Sequence, residues 1–197
     1  MGKVVSQASM SLDGYIADPS GGVGPLFDWY GNGEVQVTGA DPDRVFRVSE
    51  ASAGYLREAW ANAGVSVIGR RLFDLTNGWN GRPPVGDAVV VVTHRPPADW
   101  DFPDAPFTFV TDGVPSAVAQ ARAIAGDKDI SVTPGTIAGQ ALTAGLVDEV
   151  LVDLVPVVFG AGVRYFGDYA GSPLLLENPE VVQGDRVLHL RYRLPDR

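Results

Sequence analysis

The chain has 197 residues, 45% of them hydrophobic, and a formal charge of −9. That length can bury one good core and is short for two, so a single domain over residues 1–197 is expected. The acidic balance argues against nucleic acid or an anionic membrane as the main partner, since both need a basic face. With no cysteine and only His94 and His189, there is no disulfide framework, thiolate site or two-histidine zinc helix, and no metal is expected. No secretory apolar core opens the chain and no stretch reaches the roughly 20 apolar residues of a membrane span, so a cytoplasmic location is expected.

Val4 to Ser9 reads as the first strand. Met10 to Ala40 follows as a long Gly/Pro-rich loop, of a length that is usually functional. Asp41-Pro42 then opens a helix running to about Asn62, with Val45, Val48, Ser52, Tyr55, Leu56 and Ala59 at three-and-four spacing. Val65 to Ile68 is a short buried strand, Gly69-Arg70-Arg71 its turn, and Leu72 to Thr76 a short helix. Ala88 to Thr93 is a continuous apolar run, as in a strand covered on both faces.

Phe107 to Val110 and Ile130 to Val132 read as further strands, separated by an Ala-rich helix over Pro115 to Ala125. A helix over Ile137 to Leu146 and a strand over Val150 to Val158 come next. Strands alternating with helices imply parallel crossovers and an α/β sheet. Val187 to Leu194 alternates strictly after the Gly184-Asp185 turn, placing Leu188, Leu190, Tyr192 and Leu194 on one face of an antiparallel terminal hairpin.

Three strand ends carry turns rich in cations or free backbone N–H groups: Gly69-Arg70-Arg71, Thr93-His94-Arg95 and Thr133-Pro134-Gly135-Thr136. The last opens a helix, whose N-terminus favours a phosphate. Ligands of open α/β sheets bind beyond the carboxyl ends of the strands, so the three turns can converge on one dinucleotide. Arg70, Arg71 and Arg95 suit the 2′-phosphate of NADPH, and each could equally be a solvated surface charge. No G-x-G-x-x-G follows a strand: Gly160-Ala161-Gly162 has Tyr165 where the third glycine would fall.

Ser11-Leu12-Asp13-Gly14-Tyr15-Ile16-Ala17, Val67 to Asp74, and Gly145 to Glu149 leading to Pro156 through Gly162 resemble, in this order, the dihydrofolate-reductase-like superfamily. The similarity is to the reductase domain of riboflavin-biosynthesis deaminase-reductases and their stand-alone bacterial homologues. The resemblance implies a mostly parallel twisted sheet of eight or nine strands ending in an antiparallel hairpin, with helices on both faces. It also implies NADPH as hydride donor to a C=N or C=O bond of a small pterin- or pyrimidine-like substrate.

By motif, Gly69, Arg70 and Arg71 would meet the adenosine and pyrophosphate end, and Thr93, His94 and Arg95 the 2′-phosphate and adenine. Pro134, Gly135, Thr136 and Ile137 would cradle the pyrophosphate, with Ile16 and Ala17 against the nicotinamide. The family's pyrophosphate turn often carries a cis Gly-Gly bond, and Thr133-Pro134 is the matching bond, which implies a cis proline. The riboflavin-type resemblance also implies a homodimer.

The chain departs from the pattern in two places. Thr133-Pro134-Gly135 replaces a glycine run, and Asp43, Glu50 and Glu58 all miss the apolar stripe of the first long helix, where folate reductases carry their pterin-binding carboxylate. Asp13 is the candidate catalytic carboxylate; it can order the cofactor loop or orient substrate, or simply bond local backbone in an Asp-Gly turn. Asp28-Trp29-Tyr30 on the long loop, with Asp28 and Trp29 as the candidate substrate contacts, offers an aromatic wall for a flat heterocycle, or packing for a lid. A non-catalytic nucleotide-binding or sensor protein with the same fold is the alternative reading.

Overall fold

The computed structural model describes residues 2–167 and 169–195. Its frame is an eight-stranded sheet built from β1 (Val4–Ser11), β5 (Ala63–Gly69), β6 (Ala88–Val92), β7 (Phe107–Val110), β8 (Asp129–Val132), β9 (Glu149–Val155), β11 (Glu180–Gln183) and β12 (Leu188–Arg193), in the order β11-β12-β9-β1-β8-β5-β6-β7. From β9 to β7 all neighbours run parallel; β12 alone is antiparallel to both of its neighbours. Parallel strands need crossovers and must be covered on both faces, which explains the unbroken apolar run Val89 to Val91 and the burial of Val65 to Ile68, where Ser66 is the one polar residue.

On one face, α3 (Val114–Ala125) and α4 (Thr136–Thr143) pack Ala117, Val118, Ala138 and Leu142 against Val4, Val65, Val67, Val90, Ile130 and Val150. On the other, α1 (Glu50–Ala61) places Ala53, Tyr55 and Leu56 over Leu151 and Val155, and α2 (Arg70–Asn80) places Phe73 over Ile68, Val89 and Val91. Two small ribbons complete the fold. β2 (Tyr15–Ala17) pairs with β10 (Val163–Arg164), and β3 (Val35–Thr38) with β4 (Val45–Val48), both antiparallel.

The segment expected to be one helix from Asp41 to Asn62 is two elements. Val45–Val48 forms β4, and Ser49, extended at φ −62° and ψ 158°, caps α1 by accepting the Ser52 N–H. The spacing of Val45 and Val48 suits a helix and sets them on opposite faces of a strand, but β-branched side chains favour extended backbone, and pairing with β3 decides for the strand. The expected loop from Met10 to Ala40 likewise holds β2, a 3-10 helix over Gly24–Gly31 and β3. All described peptide bonds are trans, Thr133–Pro134 included, so the expected cis bond is absent. The chain reverses instead at Gly135, whose φ of 96° is easy for glycine.

Candidate active site

β8, β5 and β6 are adjacent and parallel, so their three turns lie side by side at the carboxyl end of the strands. The Thr133 N–H and Oγ1 both donate to the Val67 carbonyl (2.9 and 3.1 Å), tying the β8 turn to β5. The Arg70 guanidinium donates to the Arg95 carbonyl, tying the β5 turn to β6. Gly69 caps α2 and Gly135 caps α4, and neither helix has a side-chain acceptor on its free amides. A Cβ on Gly69 would lie 3.2 Å from Ile137 Cγ1, so the two helix starts stand close together. Paired N-termini with unmet N–H groups suit the phosphates of a dinucleotide.

The three arginines differ in what they already hold. Arg70 Nε is 2.7 Å from Asp74, and Arg71 Nη2 donates to Pro19 O at 3.3 Å. Arg95 is exposed beside exposed His94, and its guanidinium has no partner among the described residues. Buried Thr93 shapes that turn: its Oγ1 accepts the Arg95 N–H (3.2 Å) and donates to the Arg95 carbonyl (2.9 Å). Pro134 and Gly135 are buried, Thr136 is exposed, and Ile137 is half-buried.

Ile16 and Ala17 lie on β2, next to the β8 turn; a Cβ on Gly135 would stand 3.8 Å from Ile16 Cδ1. The 160–167 segment closes over them, with Val163 opposite Ala17 and the Gly135 N–H donating to the Tyr165 carbonyl at 2.7 Å. Asp13 clips this segment down. Its carboxylate accepts from Ser11 Oγ (2.6 Å), the Gly160 N–H (2.7 Å) and the Phe159 N–H (3.1 Å). The Ser11 hydroxyl, then the two backbone N–H groups, hold its pKa below the usual carboxylate range. An ionised, fully engaged carboxylate orders a loop; a proton donor needs the opposite shift.

A cavity of about 260 Å³ lies between α1, α2 and the sheet, reaching Thr133 at the start of the β8 turn. Its sheet side carries Gln7, Ser9, Ser66, Ser131, Thr133 and Asp153, and its aromatic walls include Tyr30, Trp60 and Trp79. Of the expected aromatic wall, Tyr30 lines this cavity and Trp29 does not. Trp29 is 1% exposed, donates to Ser9 Oγ at 3.0 Å and stacks on Tyr30 with centroids 3.8 Å apart, so it is core, while Asp28 points to the exposed side of the 3-10 helix.

Sequence reasoning passed over the most unusual group in the cavity. Asp153 lies in the buried strand β9, directly across from His189 on β12, and its Oδ1 meets His189 Nδ1 at 2.7 Å. His189 Nε2 is 2.8 Å from Ser52 Oγ, which also accepts from Ser49 Oγ at 3.1 Å. A lone carboxylate inside Val150-Leu151-Val152-Asp153-Leu154-Val155 was the available signal, since buried charges need partners or a use.

A mainly parallel eight-stranded sheet with an antiparallel terminal hairpin defines a dihydrofolate-reductase-like α/β protein. The family profile described as RibD C-terminal domain matches residues 2–190, and the chain belongs to that family of reductase-like domains. Among solved structures it is similar to a protein of Shewanella sp. PV-4 named for riboflavin biosynthesis (23% identity, all of both chains, TM-score 0.69). It is also similar to a pyrimidine reductase-like protein of Corynebacterium diphtheriae (16% identity, 100% and 93% of the two chains, TM-score 0.63). Dihydrofolate reductase from Enterococcus faecalis, solved with NADP(H), shares the fold at 15% identity over 99% and 98% of the chains (TM-score 0.60). No curated protein matches the sequence.

Proposed function

We propose that the chain is an NADPH-dependent reductase that transfers a hydride to a C=N or C=O bond of a small, pterin- or pyrimidine-like heterocycle. The observation that carries this reading is the juxtaposition of three anion-competent turns, on adjacent parallel strands, next to a cavity with a polar floor that Thr133 of the β8 turn also lines. Bound NADPH would supply the hydride; the protein's part is to position the two rings, exclude water and steer a proton.

In this reading the free amides of α4 behind Pro134, Gly135, Thr136 and Ile137, with those of α2 at Gly69, Arg70 and Arg71, hold the pyrophosphate. Thr93 shapes the turn on which His94 and Arg95 meet the 2′-phosphate. Ile16 and Ala17 form an apolar bed for the nicotinamide, and Asp13 is a positioning residue that holds the 159–160 segment over it. The proton then comes from water.

A homodimer is part of the same proposal, since β11 is an open edge and Val181 and Leu188 on the terminal hairpin are exposed. So is a cytoplasmic setting; among the described residues no helix is long and apolar enough to cross a membrane.

Titration with NADPH, followed by tryptophan fluorescence, should saturate. Single-turnover oxidation of NADPH across a panel of pterins, pyrimidines and simple carbonyls should then find an acceptor. Binding without transfer to any acceptor would favour the sensor reading, and absence of binding would sink both.

A further inference from the structure

We infer that the cavity selects a flat heterocycle that donates an N–H group and carries no phosphate, with Asp153 Oδ2 as the selecting acceptor. This rests on the reductase reading and specifies the substrate end of the same site.

The Asp153 side chain is 1% exposed and lines the cavity; Oδ1 takes the His189 N–H, whereas Oδ2 meets no donor among the described residues. A buried carboxylate oxygen without a donor is costly, and a ligand N–H placed there removes that cost. A ligand offering only acceptors would add repulsion.

Asp153 is held in place by a chain of bonds that runs away from the cavity. The arrangement satisfying every partner has Ser49 donating to Ser52, Ser52 to His189 Nε2, and His189 Nδ1–H to Asp153. The imidazole stacks on Tyr55 (centroids 4.1 Å, 18°) and takes the edge of Trp29 at 5.0 Å, so it has no freedom to turn. Ser, His and Asp in this order resemble a hydrolytic triad, but the sense is reversed. Ser52 is 1% exposed, and a Cβ on Gly184 would lie 2.3 Å from its Oγ, so the serine end is sealed. Only the carboxylate end of the chain of bonds lines the cavity.

The charge of the lining sets the second half of the selection. The cavity is lined by Asp129 and Asp153 and by no lysine or arginine. A phosphate entering it would meet two carboxylates and no counter-cation. Neutral or cationic N–H donors are the ligands this lining admits.

The test uses the full chain and three comparisons by calorimetry. First, 2-aminopyrimidine should bind at least ten-fold more tightly than 2-(dimethylamino)pyrimidine, which has the same ring and no N–H. Second, cytidine should displace 2-aminopyrimidine at least as well as cytidine 5′-monophosphate does. Third, Asp153→Asn should collapse the N–H preference to within about two-fold while leaving the NADPH dissociation constant unchanged, because the amide turns a donor toward the ligand.

Ser52→Ala, which keeps the carboxylate, should retain the preference. If Asp153→Asn fails to fold, the wild-type comparisons with the Ser52→Ala result still decide. Equal binding of the two pyrimidines, no binding of either, or preference for the monophosphate overturns the inference. NADPH binding in the same preparation separates the failures: its loss sinks the reductase reading, while its presence without N–H selection sinks only this one.

Discussion

Replacing Arg95 by alanine should remove most of the preference for NADPH over NADH and leave NADH binding nearly unchanged. The sequence offers three equivalent cations near the turns, and the structure makes them unequal. Arg70 is committed to Asp74 and the Arg95 carbonyl, and Arg71 to the Pro19 carbonyl, whereas the Arg95 guanidinium is unpartnered among the described residues. A hydrogen bond to a charged group contributes about 1.5 to 3 kcal/mol. Arg95 is exposed, so the lower end applies, and about 1.5 kcal/mol corresponds to roughly ten-fold in dissociation constant.

The assay is a pair of fluorescence titrations, NADPH and NADH, on wild type, Arg95→Ala and Arg70→Ala. Wild type should prefer NADPH by about ten-fold or more, with the margin narrowing as salt rises. Arg70→Ala should weaken both cofactors alike, because it loosens the turn and removes no free charge. Equal dissociation constants in wild type, or a preference that survives Arg95→Ala and vanishes in Arg70→Ala, would refute the assignment.

Four further outcomes are expected. Tyr165→Phe removes the buried hydroxyl that stands 3.0 Å from Ser6 O and 2.9 Å from Leu151 O. It should cost about 1 to 2 kcal/mol and lower Tm by roughly 2 to 8 °C, and an unchanged melting curve would count against its role as a pin between β1 and β9. Gly162→Ala would place a Cβ 2.0 Å from the Ala17 carbonyl, so it should part β2 from β10; faster amide exchange at Ala17 is the readout. Asp13 has a lowered folded pKa, so its contribution is present above the unfolded pKa and is lost as pH falls through the folded value. The protection of the Gly160 amide, relative to its intrinsic exchange rate, should therefore fall only at pH values below the ordinary carboxylate range, and Asp13→Asn should flatten that dependence. Light scattering should give twice the chain mass of 20.8 kDa; a monomer mass at every concentration would remove the dimer.

The parallel half of the sheet was legible because its signals are local. Short, largely apolar runs at 65–68 and 88–92, each followed by a turn, specify buried strands wherever they sit, and the same turns mark the anion-competent ends. The terminal hairpin was legible from Gly184-Asp185 and the alternation after it. The ordered motifs pointed to the fold without fixing what each residue touches.

Distant partners decided the rest. Val45 and Val48 fit a helix until β3 supplies hydrogen bonds to their backbone, and Asp41 to Asn62 then divides at Ser49. Which arginine is free depends on a carbonyl 25 residues away from Arg70. The alternation of β12 marks Leu188, Leu190 and Tyr192 as its apolar face, yet His189 on the other face is the more deeply buried, because Tyr55 of α1 and Trp29 cover it. Asp153 and His189 become partners only through the β9–β12 register, which sets them opposite each other. A strand's sequence shows its period, but what lies over each face is settled by the elements that pack there, and a carboxylate reads as a buried acceptor only once those elements have excluded water from it.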